Sequence, residues 1–353
     1  VRRWAGDVGW LTVLGWLWCS GVAALCLVRF LDLTGPVPAI QAALPMALLS
    51  LLVLLVLSLV GREPVLAAAT GLLLLVGAVG AAPWFWPHRA GPSADSDTVV
   101  LAANLEFGRG SMAEIVELVR ERDVDALVLL EATPATAERL ADSPLTQLLP
   151  HVSGTVRDDA GGTLVLTADP HVELADPPDS TFTQVAVRVE GPASGGCSGE
   201  EQGRGRSDEQ GWDRGEARSG TVGAGTDVDA TVGQGWTLVA VHPAPPLVTT
   251  SSTWRADLKA LEAWVAANDD DCLVLAGDFN ASQAHPAFRA LAATLTHAHR
   301  ETGAGWVRTW PMGSRLPPFV QLDHVLARGF GVEEAGVADV PGSDHRAVWA
   351  RLR

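Results

Sequence analysis

Tyrosine is absent from the sequence, and cysteine occurs only at Cys19, Cys26, Cys197 and Cys272. The missing tyrosine accompanies an abundance of Ala, Gly, Arg and Asp, and it is a compositional bias without a functional message. No two cysteines form a C-x-x-C pair, which excludes a structural zinc ribbon and a thioredoxin-like redox motif. A Cys197–Cys272 bridge is the one pairing left open. No G-x-S-x-G elbow exists, so a serine hydrolase of the α/β type is excluded. Leu, Ile, Phe and Met are all missing from residues 190–235, a tract of 46 residues of which 13 are Gly. Such a tract buries too little apolar surface to offset its ordering entropy, and it is expected to be a disordered insertion between two strands.

Charge is unevenly distributed. Residues 1–90 carry five arginines and three acids, a net of +2, whereas the remainder holds 20 basic and 38 acidic residues, a net of −18. An acidic body repels nucleic acid phosphates at long range, which argues against non-specific coating of DNA. A local cationic site or a bound metal reverses that field over short distances.

Long apolar runs fill the first 90 residues. Trp10–Val28, Ala39–Val60 and Val65–Trp86 are each about as long as the ~20 residues a membrane-crossing helix needs. Trp10, Trp16 and Trp18, with Trp84 and Trp86, suit interfacial positions. The expectation is an anchor over residues 1–90 with transmembrane helices at about 10–28, 39–60 and 65–86. Arg2, Arg3 and Arg62 against Arg29 and Arg89 favour a cytoplasmic N-terminus, which puts everything after His88 outside the cytoplasm. A bacterial-type cell membrane is the expected location.

After a linker at 91–97, strands and helices alternate from residue 98 to 353. Ser111 with Glu114 opens a helix to about Arg122, and Thr133-Pro134 opens another. Strands are expected at Thr98–Ala103, Val124–Leu130, Gly162–Thr167, Thr181–Val189, Trp236–Val241, Leu273–Ala276, Gln321–Ala327 and Ala347–Leu352. Trp254, Leu258, Leu261 and Val265 have helical spacing within Thr249–Asn268.

Polar residues stand at the shoulders of these strands: Asn104, Glu131, His242, Asp278, Asn280, Asp323, Asp344 and His345. Singly, most of them read as turn residues or solvated strand ends. Asp323 within an apolar strand is harder to dismiss, because a buried carboxylate needs a partner. Together they supply carboxylates for a hard divalent cation, amides, and imidazoles with a carboxylate to orient one of them. Phosphoryl ester cleavage needs that set: a cation to neutralise phosphate, a base for water, and donors for the equatorial oxygens. Gly277 is expected to let the chain turn after its strand, with Asp278 and Asn280 pointing to one side. Glu106, two residues after Asn104, is a further candidate carboxylate. His324 faces away from Asp323 and reads as structural. His297 and His299 suggest zinc only weakly, since no third ligand is near in sequence.

Asn104, Leu129-Leu130-Glu131, Val241-His242, Gly277-Asp278-Phe279-Asn280, Leu322-Asp323-His324-Val325 and Ser343-Asp344-His345 occur in an order that resembles the endonuclease/exonuclease/phosphatase superfamily. That family includes pancreatic-type deoxyribonucleases, abasic-site endonucleases, neutral sphingomyelinases and inositol polyphosphate 5-phosphatases. The resemblance implies a four-layer α/β sandwich, two packed mixed β-sheets flanked by helices, here preceded by three transmembrane helices. It implies a magnesium-dependent phosphoesterase, with manganese as the alternative ion.

The resemblance also implies roles. Glu131, Asp344 and Asn104 (with Glu106 as the extra candidate) serve the metal. Asn104, Asn280 and His242 hold phosphate. Asp278 activates water, and Asp323 orients His345. Whether Asp278 or His345 is the base stays open. Arg255 and Thr309-Trp310-Pro311 resemble supporting residues. Leu130 stands where family members often carry Gln. The implied substrate is a phosphoester of nucleic acid, phospholipid or sugar phosphate. The lipid bilayer is the other implied partner, and no obligate protein partner is evident. A catalytically inactive, membrane-displayed binding domain is the competing reading from another class.

Overall fold

The computed structural model describes residues 9–87, 97–178, 180–190 and 235–353. Residues 91–96 of the linker and most of the Gly-rich tract named above lie outside the described residues. So does Cys197. Cys272 is disulfide-bonded, in keeping with the one pairing left open above, while Cys19 and Cys26 are free.

The apolar segments fold as α1 (Trp10–Val28), α2 (Val37–Ala42), α3 (Leu44–Val60) and α4 (Pro64–Ala81). The expected span at 39–60 is therefore broken. Pro45 sits in the first turn of α3, where its missing N–H costs nothing; in the interior of one continuous helix it would remove a hydrogen bond and clash. The helix that remains has 17 residues, about 25 Å of rise against a hydrocarbon core of about 30 Å. Two helices, Trp10–Val28 and Pro64–Trp84, have both the length and the apolarity to cross a membrane. This replaces the expectation of three.

α1, α3 and α4 pack together around Cys19, Val22, Leu51, Leu66 and Thr70, all buried. Thr12 Oγ1 donates to Glu63 Oε1 at 3.0 Å, joining the start of α1 to the turn between α3 and α4. At the other end Gln41 Nε2 donates to the carbonyls of Val28 and Leu31.

The rest is a sandwich of two mixed sheets. Its elements are β1 (Thr98–Asn104), α5 (Met112–Arg122), β2 (Ala126–Leu130), α6 (Pro134–Ala141), α7 (Leu145–Leu148), β3 (His151–Thr155), β4 (Thr163–Thr167), β5 (His171–Glu173), β6 (Ala186–Glu190), β7 (Gly235–Val241), α8 (Ser251–Ala267), β8 (Leu273–Asp278), α9 (Pro286–Leu291), β9 (Thr296–His297), α10 (Ala298–Glu301), β10 (Asp323–Arg328), β11 (Val332–Asp339) and β12 (Arg346–Leu352). One sheet has the order β11-β12-β1-β2-β4-β3, the other β5-β6-β7-β8-β10-β9. β1 and β2 are parallel, as are β7 and β8; α5 and α8 are their crossovers. β6 starts five residues later than the sequence suggests, and Asp323 opens β10 instead of lying inside it.

Side chains alternate across each strand, so each strand serves two layers. Val100, Ala102, Val128, Leu238, Ala240, Val274 and Val325 fill the space between the sheets. Val99, Leu101, Leu127 and Leu129 turn outward against Ile115 and Val119 of α5. Val239, Val241, Leu273 and Leu275 meet Trp254, Leu258, Leu261 and Val265 of α8. These layers rigidly fix the parallel pairs, whose carboxyl ends carry the polar residues.

Four further histidines are buried in the second sheet and its helices: His285, His297, His299 and His324. His324 Nε2 donates to the Ala281 carbonyl, so its Nδ1 accepts from His297 Nε2 at 2.8 Å. His299 Nε2 donates to the Gly336 carbonyl. His285 accepts from Ser282 N and donates to the Pro38 carbonyl. These are neutral, structural imidazoles. Among the described residues His297 and His299 belong to no cluster able to hold a metal.

Burial lowers His285 to about 4, with the Pro38 carbonyl acting against it. The unfolded chain takes up that proton near pH 6.5 and the folded chain only near 4, so acidification through this window favours unfolding. The expected outcome is a fall in the unfolding temperature of the detergent-solubilised full chain between pH 6.5 and 4. His285→Gln should flatten that slope by up to about 1.4 kcal/mol per pH unit, read by thermal melts across the range.

Candidate active site

Asn104 ends β1 and Glu131 follows β2, its parallel neighbour; Asn104 pairs with Leu130 in register. Asp278 ends β8 and lies opposite Asp323, the first residue of β10. His242 follows β7, the parallel neighbour of β8. The two sheets face each other, and these ends meet.

Asp278 Oδ2 is the point of convergence. Asn104 Nδ2 donates to it at 3.2 Å, His345 Nε2 stands 3.7 Å away and His242 Nε2 3.9 Å. Asn104 Nδ2 also donates to Glu131 Oε1 at 3.1 Å, and His242 Nε2 is 3.9 Å from that same oxygen. The other oxygen of Glu131 accepts from the backbone of Phe107 at 2.9 Å. His345 Nδ1 donates to Asp323 Oδ2 at 2.8 Å, and Asp323 is itself 1 % exposed. Asp344 is at the edge, with Oδ2 accepting from the Trp310 indole and Oδ1 3.9 Å from His345 Nε2.

The backbone makes this arrangement by bending sharply after its strands. Glu131 has φ 53° and Asn280 φ 49°, left-handed values that non-glycine residues seldom adopt. The turn expected at Gly277 is therefore at Asn280. Gly277 lies within β8, where a Cβ would meet the Val241 carbonyl at 2.2 Å, so its role is close strand approach. Asn280 does not share a side with Asp278 in extended chain. Its Nδ2 donates to the Pro243 carbonyl and its N–H to Asp278 Oδ1, which ties the loop after His242 to the loop after β8.

Glu106 departs from expectation. Positive φ at Glu106 and Phe107 turns the chain, and Glu106 pairs with Arg109 at 2.6 Å instead of joining the carboxylates. Asn104 also differs from a metal ligand as oriented here. Its Oδ1 accepts from the backbone of Glu106, and its amide nitrogen faces the acids.

Several contributors escaped the sequence reading. Ser343 Oγ donates to the Asn104 carbonyl and accepts from the backbone of His345, joining two site segments. Phe182 lies over His242, ring centroids 5.0 Å apart. Asp257 of α8 is 2 % exposed and accepts from Ala244 N and Thr181 Oγ1, bracing the loop after His242. Its signal was present: a carboxylate among Trp254, Leu258 and Leu261 on the apolar face of a helix.

The family model described as "Endonuclease/Exonuclease/phosphatase family" matches residues 101–345. The chain belongs to that family. It is a hydrolase acting on phosphoester bonds. Among solved structures it is similar to D. rerio TDP2 complexed with single strand DNA product, at 13 % identity over 73 % of this chain and 100 % of that one, TM-score 0.50. A mannosyl-6-phosphatase of Bacteroides thetaiotaomicron shares 14 % identity over 72 % of this chain and 99 % of that one, TM-score 0.47. At 13 % identity the likeness to TDP2 concerns the fold alone. No curated protein matches the sequence.

The site of this endonuclease/exonuclease/phosphatase family member holds its charges in opposite states. Burial raises the Glu131 and Asp278 carboxyls, with their mutual repulsion adding to it for Glu131. Burial lowers His242 to about 4, so it is neutral. For His345 burial also opposes charge, but Asp323, Asp278 and Asp344 outweigh it and raise the imidazole to about 10. Asp278, Asp323 and His345 place ligand atoms within 4.8 Å of one another. Hydrogen bonding already engages Asp323 with His345 there, so the trio is an oriented imidazole with two acids and not a cation cage.

Asp323→Asn should bring the His345 pKa down from about 10 towards 6.5, because it removes the nearest charge. Titration of metal-free protein followed by the nitrogen resonances of labelled histidine checks this, and an unmoved pKa would contradict the assignment of Asp323 as the orienting group.

Proposed function

We propose that this chain is a membrane-anchored, divalent-metal-dependent phosphodiesterase in which water attacks a phosphoester at Asp278. The observation that carries the reading is the gathering of Asn104, His242 and His345 donors around Asp278 Oδ2. Carboxylate oxygens of Glu131 and Asp344 suit a hard cation such as magnesium or manganese. Glu131 and Asp278 both lie within reach of one donor, Asn104 Nδ2, and that pair of acids, raised chiefly by burial, is what favours a cation there. Such an ion would neutralise phosphate charge. Of the residues expected to hold it, Glu131 is the principal one and Asp344 supports it; Glu106 is spent on Arg109.

Asp278 takes the proton of the attacking water, the new P–O bond forms, the ester P–O bond breaks, and the leaving oxygen takes a proton from the His345 imidazolium to depart as an alcohol. Asn104 and His242 hold the phosphate, Asn280 positions the loop after His242 through the Pro243 carbonyl, and His345, kept in place by Asp323, donates towards the developing charge. Phe182 restricts the face of His242 that meets the substrate.

The location is outside the cytoplasm. The bundle of α1, α3 and α4 presents exposed Leu, Val and Trp over most of its surface, a composition suited to lipid. A disulfide at Cys272 fits an oxidising compartment.

In detergent, with magnesium or manganese, the full chain should release p-nitrophenolate from bis-p-nitrophenyl phosphate. Asp278→Asn and His345→Ala should each lower the rate by at least about 100-fold, and chelation should abolish it. Activity persisting in both variants refutes this mechanism. For location, an alkaline phosphatase fusion after Arg353 should be active in whole cells, whereas activity of a cytoplasmic reporter at the same point would reverse the topology.

A further inference from the structure

The sandwich is clamped to the apolar bundle, and the clamp lies at the mouth of the site. Asp32, in the loop between α1 and α2, pairs with Arg255 at 2.6 Å and with Lys259 at 3.2 Å, both on α8. Gly35 N donates to Ser251 Oγ at 2.7 Å, at the first residue of α8. His285, in the loop that follows Asp278 and Asn280, donates to the Pro38 carbonyl at 2.8 Å, and Arg289 Nη2 donates to the Arg29 carbonyl. At the far end of the bundle's path, Gly305 N donates to the Trp84 carbonyl, and Trp84 meets His297 edge-on at 4.9 Å. Two separate points at one end of the bundle, the α1–α2 loop and the end of α4, therefore hold one sheet. That fixes orientation, which a flexible tether would not.

The segments clamped at Ser251 and His285 are those that leave the site at His242 and Asp278. The mouth consequently opens beside the α1–α2 loop, where Phe30, Leu31 and Leu33 are exposed. Leu247 and Val248, four and three residues before Ser251, are 59 % and 67 % exposed. Among the described residues of the sandwich, the large exposed apolar side chains divide by end. Phe107, Leu247, Val248 and Leu316 are on loops at the site end, while Leu148, Val152 and Val172 lie away from it. An apolar rim next to a lipid-facing bundle matches a substrate that is polar at its phosphate and apolar at its tail.

We propose that this site cleaves a phosphoester borne on a lipid, taken directly from the bilayer surface, with Leu247 and Val248 contacting its apolar tail. This rests on the phosphoesterase reading above and names its substrate class. The backbone of the loop is held independently of those side chains: Leu247 N donates to the Pro245 carbonyl, and the Leu247 carbonyl accepts from Thr250 and Ser251. Substitution at 247 and 248 thus leaves the His242 segment in place.

The test uses the full chain reconstituted in phosphatidylcholine vesicles with magnesium or manganese. Two phosphodiesters share a p-nitrophenyl leaving group and differ in the second alcohol, methanol in one and diacylglycerol in the other. The expected result is a kcat/KM at least tenfold higher for the lipid diester. The double variant Leu247→Ser, Val248→Ser should lose at least tenfold on the lipid diester and stay within twofold on the methyl diester. Hydrolysis of the methyl diester without preference for the lipid overturns this inference while leaving the phosphoesterase reading intact. So does an equal loss on both substrates, or faster cleavage of single-stranded DNA than of the lipid diester. Hydrolysis of neither diester removes the phosphoesterase reading itself.

Discussion

Two neighbouring carboxylates, Asp278 buried and Glu131 mostly so, resist desolvation, and the polar architecture of this chain answers that constraint. Glu131 and Asp278 come from different sheets and share one donor, the amide nitrogen of Asn104. The imidazolium of His345 faces Asp278 and is held by a third buried acid, Asp323. Neutralising one member would not simply delete a contact; it would leave a buried charge without its partner, the costly case for such networks. The site is thus built as one coupled unit, in which three acids surround a single imidazolium and each holds its state through the others.

The surrounding fold makes that unit possible. Parallel pairs β1–β2 and β7–β8 deliver four chain ends to one edge, and antiparallel β10 and β12 enter there from the opposite direction. Apolar packing on both faces leaves these strands little freedom. Polar braces then hold the loops: Asp257 fixes the segment after His242, Asn280 reaches Pro243, and Ser343 joins Asn104 to the His345 segment. Thr309 Oγ1, which accepts from Leu322 N and Asp323 N, sets the entry to β10. The apolar bundle is attached to the same loops, so its position and that of the site are one structural problem.

Much of the site was legible because each candidate stands at the end of an apolar run. LVLAGDFN reads as a strand that delivers a carboxylate, and so it proves, with Leu273–Asp278 as β8. The misreadings share a cause. Extended backbone beyond the strand would bring Glu106 and Asn280 to the acids, and left-handed residues at Glu106, Phe107 and Asn280 turn both away. The expected second span failed for another local reason, Pro45, whose effect depends on whether it falls in the interior or the first turn of a helix. Asp257 and Ser343 act through partners distant in sequence, so no spacing rule pointed to those partners.

Sequence by itself determined the strand ends, the apolar layers behind them and the segregation of long apolar runs into the first 90 residues. These follow from periodicity and composition, which are properties of neighbours along the chain. Tertiary structure alone decided that Asp278 Oδ2 is the meeting point, that His242 is neutral while His345 is charged, and that Asp32 ties the α1–α2 loop to α8. Each depends on burial and on distances between residues far apart in the chain, and the electrostatics of a buried group are set by whichever charges the fold brings to it.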